Sequence, residues 1–331
     1  LKQVLGFMDT ENYSYGELFN EINCHTGGIS MAVNLYGNMR EKERFCMKLE
    51  MKAKTLYNKT DFAFAMMREI LQKTRFTDTK RLYEIIAQMK SRLQMYLMSA
   101  GHSAAAVRAM AKFSRSAKIN DRMNGVEFYW LIEDLEQNFE EKKEELIRKL
   151  TEVMQYVIRP ENLIVSCTAE TEGIEAVKRE IPSLKEALYT GSFPAAPEEE
   201  SPSMECMKEG LKTPSAVQYV ARAGHISHYT GAFRILKVIL SYEYLWIQIR
   251  VKGGAYGCMS GFGVYGDSYL VSYRDPNLKE TNQVFENTAD YVEHFDATDR
   301  DMTKYVIGTI SDMDTPLTPS AAGNRSMSAW L

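Results

Sequence analysis

The sequence has few cysteines, and their positions exclude two common uses of that residue. Five cysteines in 331 residues are odd in number and scattered, and none is spaced as C-x-x-C. A disulfide framework needs paired cysteines and a structural zinc site needs closely spaced thiolates, so we expect neither. The pattern favours a reducing compartment, which is the cytoplasm or, in a eukaryote, an organelle matrix.

Long apolar runs and an excess of basic charge are also missing. The sequence has no stretch of about 18 apolar residues, and its first residues lack the features of a signal peptide. The formal net charge is -4, with 45% hydrophobic and 25% charged residues. This composition is typical of a globular protein, and we expect neither a membrane nor a nucleic acid as a partner.

Histidine is scarce, and the motifs of common hydrolases are absent. The five histidines form no H-E-x-x-H or H-x-x-E-H motif, and no G-x-S-x-G occurs. His225 and His228 lie at the end of a predicted strand, where their spacing would point them to opposite faces. Cys258 has no histidine near it in sequence, and a core cysteine is the more common use. We therefore predict no metal ligands and no serine or thiol nucleophile in this chain.

Residues 261–266, GFGVYG, match the spacing G-x-G-x-x-G of dinucleotide-binding loops. Such a loop lies between a strand and a helix, whose N-terminus faces the pyrophosphate. Residues 268–273, SYLVSY, instead predict a strand, and the other kinase motifs that accompany a glycine loop between strands are absent. We predict two aromatic-rich strands joined at Gly266-Asp267, with glycines that allow another chain to approach closely.

A proline-rich, acidic segment separates two parts of the chain. Residues 181–214 contain five of the nine prolines and the acidic run Glu198 to Glu200. We therefore assign residues 181–213 to an interdomain linker. The length of the chain also favours two domains, which we place at residues 1–180 and 214–331.

The two parts repeat one order of signals: a glycine pair, two strands, a helix after a threonine and a helix after Thr-Asp. The positions are Gly27-Gly28, Thr60 and Thr77-Asp78 in the first part, and Gly253-Gly254, Thr281 and Thr298-Asp299 in the second. A repeat of this kind indicates a duplicated domain. We predict an α+β fold built from two related α/β sandwich domains.

Hydrophobic periodicity predicts the individual elements. Alternation predicts a hairpin from residues 29–36 and 45–54, and spacings of three and four predict helices over residues 61–74, 79–99 and 124–156. Residues 163–170 and 216–227 fit strands. Residues 241–250 fit a helix capped by Ser241, and they also fit a strand, so both alternatives stay open.

Arg250 and Tyr256 flank the second glycine pair. A turn at Gly253-Gly254 could bring the guanidinium group and the phenol to one face, where they could bind one peptide carbonyl. Such donors could also stabilise a developing oxyanion. An arginine in an ion pair and a tyrosine packed at a strand edge are the structural alternative.

Several segments resemble one family of enzymes. They are LFNEINCHTGGIS (18–30), LSYEYLWIQIRVKGGAYG (240–257), SYRDPNLKET (272–281) and YVIGTISDMDTPLTPSAAG (305–323). These residues are similar to the C-terminal half of the insulinase-like, or pitrilysin-type, zinc peptidases, and most of all to the presequence-protease and falcilysin branch. The resemblance implies that this chain corresponds to the third and fourth of four related domains, each truncated at an end of the chain.

The resemblance also implies a function. Family members degrade unstructured peptides with a zinc ion whose ligands, in an H-x-x-E-H motif and a distal glutamate, lie in the N-terminal half. Arg250 and Tyr256 match the arginine and tyrosine that reach the substrate, and Gly253, Gly254 and Ala255 shape the turn between them. We expect the chain to need the N-terminal catalytic half as its partner and to be inactive alone. The alternative is a noncatalytic scaffold or partner subunit.

Overall fold

A computed structural model describes residues 1–38, 41, 44–193 and 208–331. The first part is mainly helical: α1 Tyr15–His25, β1 Ile29–Gly37, β2 Phe45–Ala53, α2 Thr60–Lys73, α3 Thr79–Ser99, α4 Gly101–Met110, α5 Arg115–Asn124, α6 Val126–Gln137, α7 Phe139–Val157 and α8 Thr171–Glu186. Short 3-10 turns occur at Tyr57–Lys59 and Pro160–Asn162. Among these described residues and those of the second part, no helix has the length and apolar character that a membrane span requires.

The second part mixes strands and helices: β3 Ala221–His225, α9 Ala232–Ile239, π-helical turns at Leu240–Tyr244 and Trp246–Lys252, β4 Gly257–Phe262, β5 Asp267–Tyr273, α10 Lys279–Glu286, α11 Thr288–Glu293, α12 Asp299–Met313 and α13 Pro319–Trp330. β1 and β2 form an antiparallel hairpin, and a second antiparallel sheet has the order β3-β5-β4. The predicted α+β class is confirmed, and so is the predicted first hairpin.

The described residues form two hydrophobic cores. The first lies between the helices of residues 1–188, with Leu5, Met8 and Leu18 fully buried. The second lies between the three-stranded sheet and the helix that follows β3, and Leu240 and Leu245 are buried there. Two separate cores agree with a two-domain chain, and the domain boundaries themselves stay a prediction.

Helix α4 connects the two parts, because it packs against β3 and β5 of the second sheet. Its first residue, Gly101, contacts the ring of Tyr219 so closely that an added Cβ atom would overlap the ring. The Tyr219 hydroxyl donates to the Met98 carbonyl at 2.5 Å. At the tip of the first hairpin, the Tyr265 hydroxyl donates to the Gly37 carbonyl at 3.0 Å.

The repeated order of signals corresponds to a repeated order of elements. In both parts a helix ends before the glycine pair, and a hairpin and two or more helices follow. The second glycine of each pair has a positive φ, +107° for Gly28 and +78° for Gly254. Side chains of Asp78 and Thr298 cap the corresponding helices α3 and α12, as expected from their positions.

The strand predicted at residues 163–170 is wrong. This segment has no regular structure, and Ile164 and Val165 are 36% and 38% exposed. A β-strand needs a neighbour to satisfy its main-chain groups, and no described residue forms a ladder with this segment. Apolar sequence alone therefore does not make a strand here.

The predicted linker begins too early, because residues 181–186 form the end of α8 with Pro182 inside the helix. An internal proline costs a helix about 3 kcal/mol. Leu184 and Leu188 are buried in the first core, and burial of one leucine contributes about 1.5–3 kcal/mol, which offsets that cost. Most of the predicted linker, residues 194–207, lies outside the described residues.

Two further predicted elements have different bounds. The helix expected over residues 124–156 is divided at Asn138 into α6 and α7, and the Asn138 side chain bonds to Asp134 at 2.8 Å. An asparagine side chain that bonds locally competes with continuous helix. The strand expected over residues 216–227 is restricted to β3, preceded by one bridge between Gln218 and Asp275.

Candidate functional site

The helix that begins with α9 carries the first residue of the candidate site. It continues as π-helical turns to Lys252, so the helical alternative for residues 241–250 is correct. Leu245 and Ile249 are buried in the second core, while Trp246 is 41% exposed. Burial of one side fixes which residues face outward, and Trp246 and Arg250 stack on each other there. Wide helical turns of this type frequently occur at functional sites.

The glycine pair reverses the chain directly after this helix. A Cβ atom on Gly253 would lie 2.6 Å from the Ile249 carbonyl oxygen, and Gly254 has a φ of +78°. The N–H groups of Gly254 and Ala255 donate to the carbonyls of Arg250 and Ile249 at 3.0 and 3.1 Å. Ala255 is 4% exposed. Glycine is therefore required at both positions, by close approach at one and by backbone conformation at the other.

The turn brings Arg250 and Tyr256 together. The Arg250 guanidinium donates to the main-chain carbonyl of Tyr256, and its central carbon lies 5.5 Å from the centre of the Tyr256 ring. The same carbon lies 4.3 Å from the centre of the Trp246 ring. Tyr256 is 64% exposed. The site thus presents a cation between two aromatic rings, beside a phenol that a ligand can reach.

Three aromatic residues that we did not predict extend this site. Trp246 stacks on Arg250, and its position four residues before Arg250 on a helix could have indicated the contact. The Tyr273 ring lies edge-on to Tyr256, with centroids 5.7 Å apart. His102, from the first turn of α4, lies 4.8 Å from Tyr273. No local signal links His102 to Tyr256, because the contact depends on how α4 packs on the sheet.

The other sequence candidates lie in different surroundings. Gly261 belongs to β4, and the turn at Gly263 to Gly266 leads directly into β5, so the predicted strand pair is confirmed and the glycines face no helix N-terminus. Burial raises the pKa of the Cys258 thiol to about 11, which disfavours the thiolate that a nucleophile requires. His225 pairs with Asp267 at the end of β3, and His228 lies beyond that strand.

One cluster among the described residues could in principle contribute three metal ligands. Asp290, Glu293 and His294 are exposed at the end of α11, and the His294 ring bonds to the Asp290 carbonyl at 2.9 Å. Exposed acidic clusters commonly carry no ion, so we assign no metal to this one. The location of zinc ligands outside this chain stays a prediction.

Comparisons with known proteins identify the class to which this fold and site belong. The family model for the region associated with subfamily C of the M16 peptidases matches residues 1–135, and the model "PreP C-terminal domain" matches residues 208–331. The chain therefore belongs to a peptidase family, and the resemblance that we inferred from its motifs is confirmed. Within that family it corresponds to the C-terminal region of the presequence-protease branch.

Individual relatives agree with this placement. "Protein HypA" of Clostridium perfringens is 34% identical over 100% of this chain and 34% of its own length. "Presequence protease 1, chloroplastic/mitochondrial" of Arabidopsis thaliana is 29% identical over 97% of this chain and 30% of its own length. "Presequence protease, mitochondrial" of Saccharomyces cerevisiae is 27% identical over 96% and 33%. The chain thus spans about a third of the length of these relatives.

Proposed function

We propose that this chain is the C-terminal part of a zinc-dependent oligopeptidase that degrades unstructured peptides. The geometry around the glycine pair is the observation that supports this most directly, because it brings an arginine and an exposed tyrosine to one surface. The names of the relatives indicate peptidases that act on presequences. Peptide substrates and an N-terminal partner half are part of the proposal.

In this proposal Arg250 and Tyr256 bind the peptide and stabilise the transition state. One Arg250 N–H bonds to the Tyr256 carbonyl, so the planar guanidinium retains further N–H donors in a fixed orientation. No described residue forms a hydrogen bond to the Tyr256 hydroxyl, which leaves that donor for a ligand. A hydroxyl directed at a developing oxyanion contributes more in the transition state than in the ground state.

The zinc ion would be bound by residues outside this chain, where it would activate a water molecule. Gly253, Gly254 and Ala255 would bind no substrate atom through side chains of their own, and they would present the two functional residues instead. The chain alone is then inactive. We further propose that the whole protein works in the cytoplasm or, in a eukaryote, in an organelle matrix.

Reconstitution from two halves tests the proposal. The chain is mixed with the separately produced N-terminal half, and cleavage of an unstructured peptide of about 20 residues is followed by mass spectrometry. We expect cleavage by the mixture, inhibition by a metal chelator, and no cleavage by this chain alone. No cleavage at high concentrations of both halves would count against a peptidase and favour a noncatalytic scaffold.

The role of the tyrosine is tested in the full-length protein. Tyr256→Phe removes only the hydroxyl, and we expect kcat to fall about 100- to 1,000-fold, the usual effect of losing one oxyanion donor. Tyr242→Phe is the matched control, because Tyr242 is 68% exposed on the same helix. Equal rates for the two variants would assign Tyr256 to packing and would reject its proposed role.

A further inference from the structure

The segment SYRDPN at residues 272–277 has no role in the proposed function, although it lies against the glycine turn. Its centre is Asp275, which is 0% exposed. One carboxylate oxygen of Asp275 accepts from the Asn277 N–H at 2.8 Å, and the other accepts from the Thr281 hydroxyl at 2.7 Å. These bonds fix the main chain on both sides of Pro276, because a buried carboxylate without partners would be costly.

Asn277 connects this segment to the end of the helix that carries Arg250. Its side-chain amide donates to the Gly253 carbonyl at 2.5 Å, across 24 positions of sequence. The last carbonyls of a helix have no partner within the helix. The Asn277 side chain satisfies one of them at the point where the chain leaves the helix.

The same segment also contacts the other side of the glycine turn. The Tyr256 N–H donates to the carbonyls of Tyr273 and Arg274, at 3.1 and 3.2 Å. Arg274 has a φ of +48°, an uncommon conformation for a residue other than glycine. Strain of this kind costs about 1–3 kcal/mol and persists where surrounding contacts determine it. Both ends of the turn are therefore attached to one short segment.

The first half of the chain provides an internal comparison. There the glycine pair bonds to a strand end through main-chain groups, with Gly27 N–H on the Lys54 carbonyl and Lys54 N–H on the Gly28 carbonyl. Cys24 and Ser30 occupy the positions that correspond to Arg250 and Tyr256. The side-chain brace thus occurs at the glycine pair that is flanked by arginine and tyrosine.

We infer that Asn277 is a positioning residue that holds Arg250 and Tyr256 at the spacing needed to act on one peptide group, and that Asp275 holds Asn277 in place. The inference rests on the proposed function for its catalytic consequence. It does not rest on it for the structural one. A displacement of about 1 Å in a catalytic group can lower a rate about 100-fold, so a brace remote from the substrate can affect kcat.

Hydrogen exchange of the chain tests the brace independently of activity. Asn277→Ala removes the bond to Gly253, and we expect the amides of residues 250–257 to exchange about 10-fold faster. The amides of residues 27–31, at the other glycine pair, serve as the internal reference and should not change. Unaltered exchange at residues 250–257 would overturn the inference.

Kinetics of the full-length protein test the consequence. We expect Asn277→Ala to lower kcat about 10- to 100-fold and to change KM less than about 3-fold, because the two residues act chiefly in the transition state. Asn277→Asp should lower kcat at least as much, since a carboxylate cannot donate to the Gly253 carbonyl. Asn58→Ala, in the corresponding connection of the first half, is the control and should retain the rate.

A double variant separates failure of this inference from failure of the proposed function. If Asn277 acts through Tyr256, the effects of Asn277→Ala and Tyr256→Phe will not add. Loss of rate in Tyr256→Phe with a normal rate in Asn277→Ala would overturn the positioning role and leave the proposed function intact. Normal rates in both would overturn both, and a lower melting temperature without a change in kcat would assign Asn277 a structural role only.

Discussion

Arg250 and Tyr256, six residues apart in sequence, are joined by a hydrogen bond from the guanidinium group to the tyrosine carbonyl. The guanidinium also lies between the Trp246 and Tyr256 rings. Arginine loses less side-chain entropy on binding when neighbouring groups already restrict it. The free chain therefore holds Arg250 in one orientation before a ligand arrives.

We expect Gly254→Ala to destabilise the chain by about 1 kcal/mol. The cost comes from the backbone, since φ is +78° and the nearest atom to an added Cβ, in Pro276, is 3.8 Å away. Gly254→Asn should cost less, because asparagine adopts positive φ more readily. Urea unfolding measures both variants. Gly257→Ala is the control, and an equal loss there would show that the conformation of Gly254 is not the cause.

The contact between α4 and the second sheet predicts a steric effect. Gly101→Ala would place a Cβ atom in overlap with the Tyr219 ring, and overpacking of this kind costs about 1–3 kcal/mol. Adding Tyr219→Ala should relieve the clash, so the double variant should lose less than the sum of the single losses. Gly16→Ala, at an open position in the first turn of α1, is the control in thermal unfolding. Additive losses would contradict the packing that we describe.

Glu209 predicts a dependence of stability on pH. Hydrogen bonds from Arg108, together with Lys112, lower the pKa of Glu209 from 4.5 to about 2. A carboxylate with a lowered pKa stabilises the folded chain above pH 4.5, and this contribution is lost as the pH falls toward about 2. A partly exposed ion pair of this kind contributes about 0.5–1 kcal/mol at neutral pH.

Glu209→Gln is the variant that tests this. Urea unfolding at about pH 6.5 should show the full difference from the unmodified chain, and the difference should shrink at about pH 3. Glu186→Gln, at an exposed position of α8, is the control and should show little difference at either pH. A constant difference for Glu209→Gln at the two pH values would contradict the lowered pKa.

Local signals in the sequence predicted local structure well. The alternation over residues 29–36 and 45–54 gave a hairpin with nearly those bounds, and Thr298 and Thr318 cap the helices that follow them. These features depend on side-chain periodicity and on hydrogen bonds within a few residues, so distant contacts change them little. The strand at residues 163–170 failed because a strand depends on a partner elsewhere in the chain.

The candidate site divides in the same way. Residues 250–256 are contiguous, and the glycine pair between Arg250 and Tyr256 was enough to predict a turn that joins them. The contributions of His102, Tyr273 and Asn277 were not predictable, because each comes from another segment that reaches the turn only in the folded chain. The choice between helix and strand for residues 241–250 was also decided by packing, since burial of Leu245 and Ile249 in the second core fixes one side of a helix.

By itself, the sequence determined the α+β class, the repeated order of elements, the family and the two residues at the centre of the site. Each of these depends on short motifs or on periodic burial, which neighbouring residues encode. Tertiary structure alone decided the contact of α4 with the second sheet, the end of α8 beyond Pro182, and the attachment of the glycine turn to Asn277. Those features depend on atoms that are distant in sequence, and only packing of the whole chain brings such atoms within bonding distance.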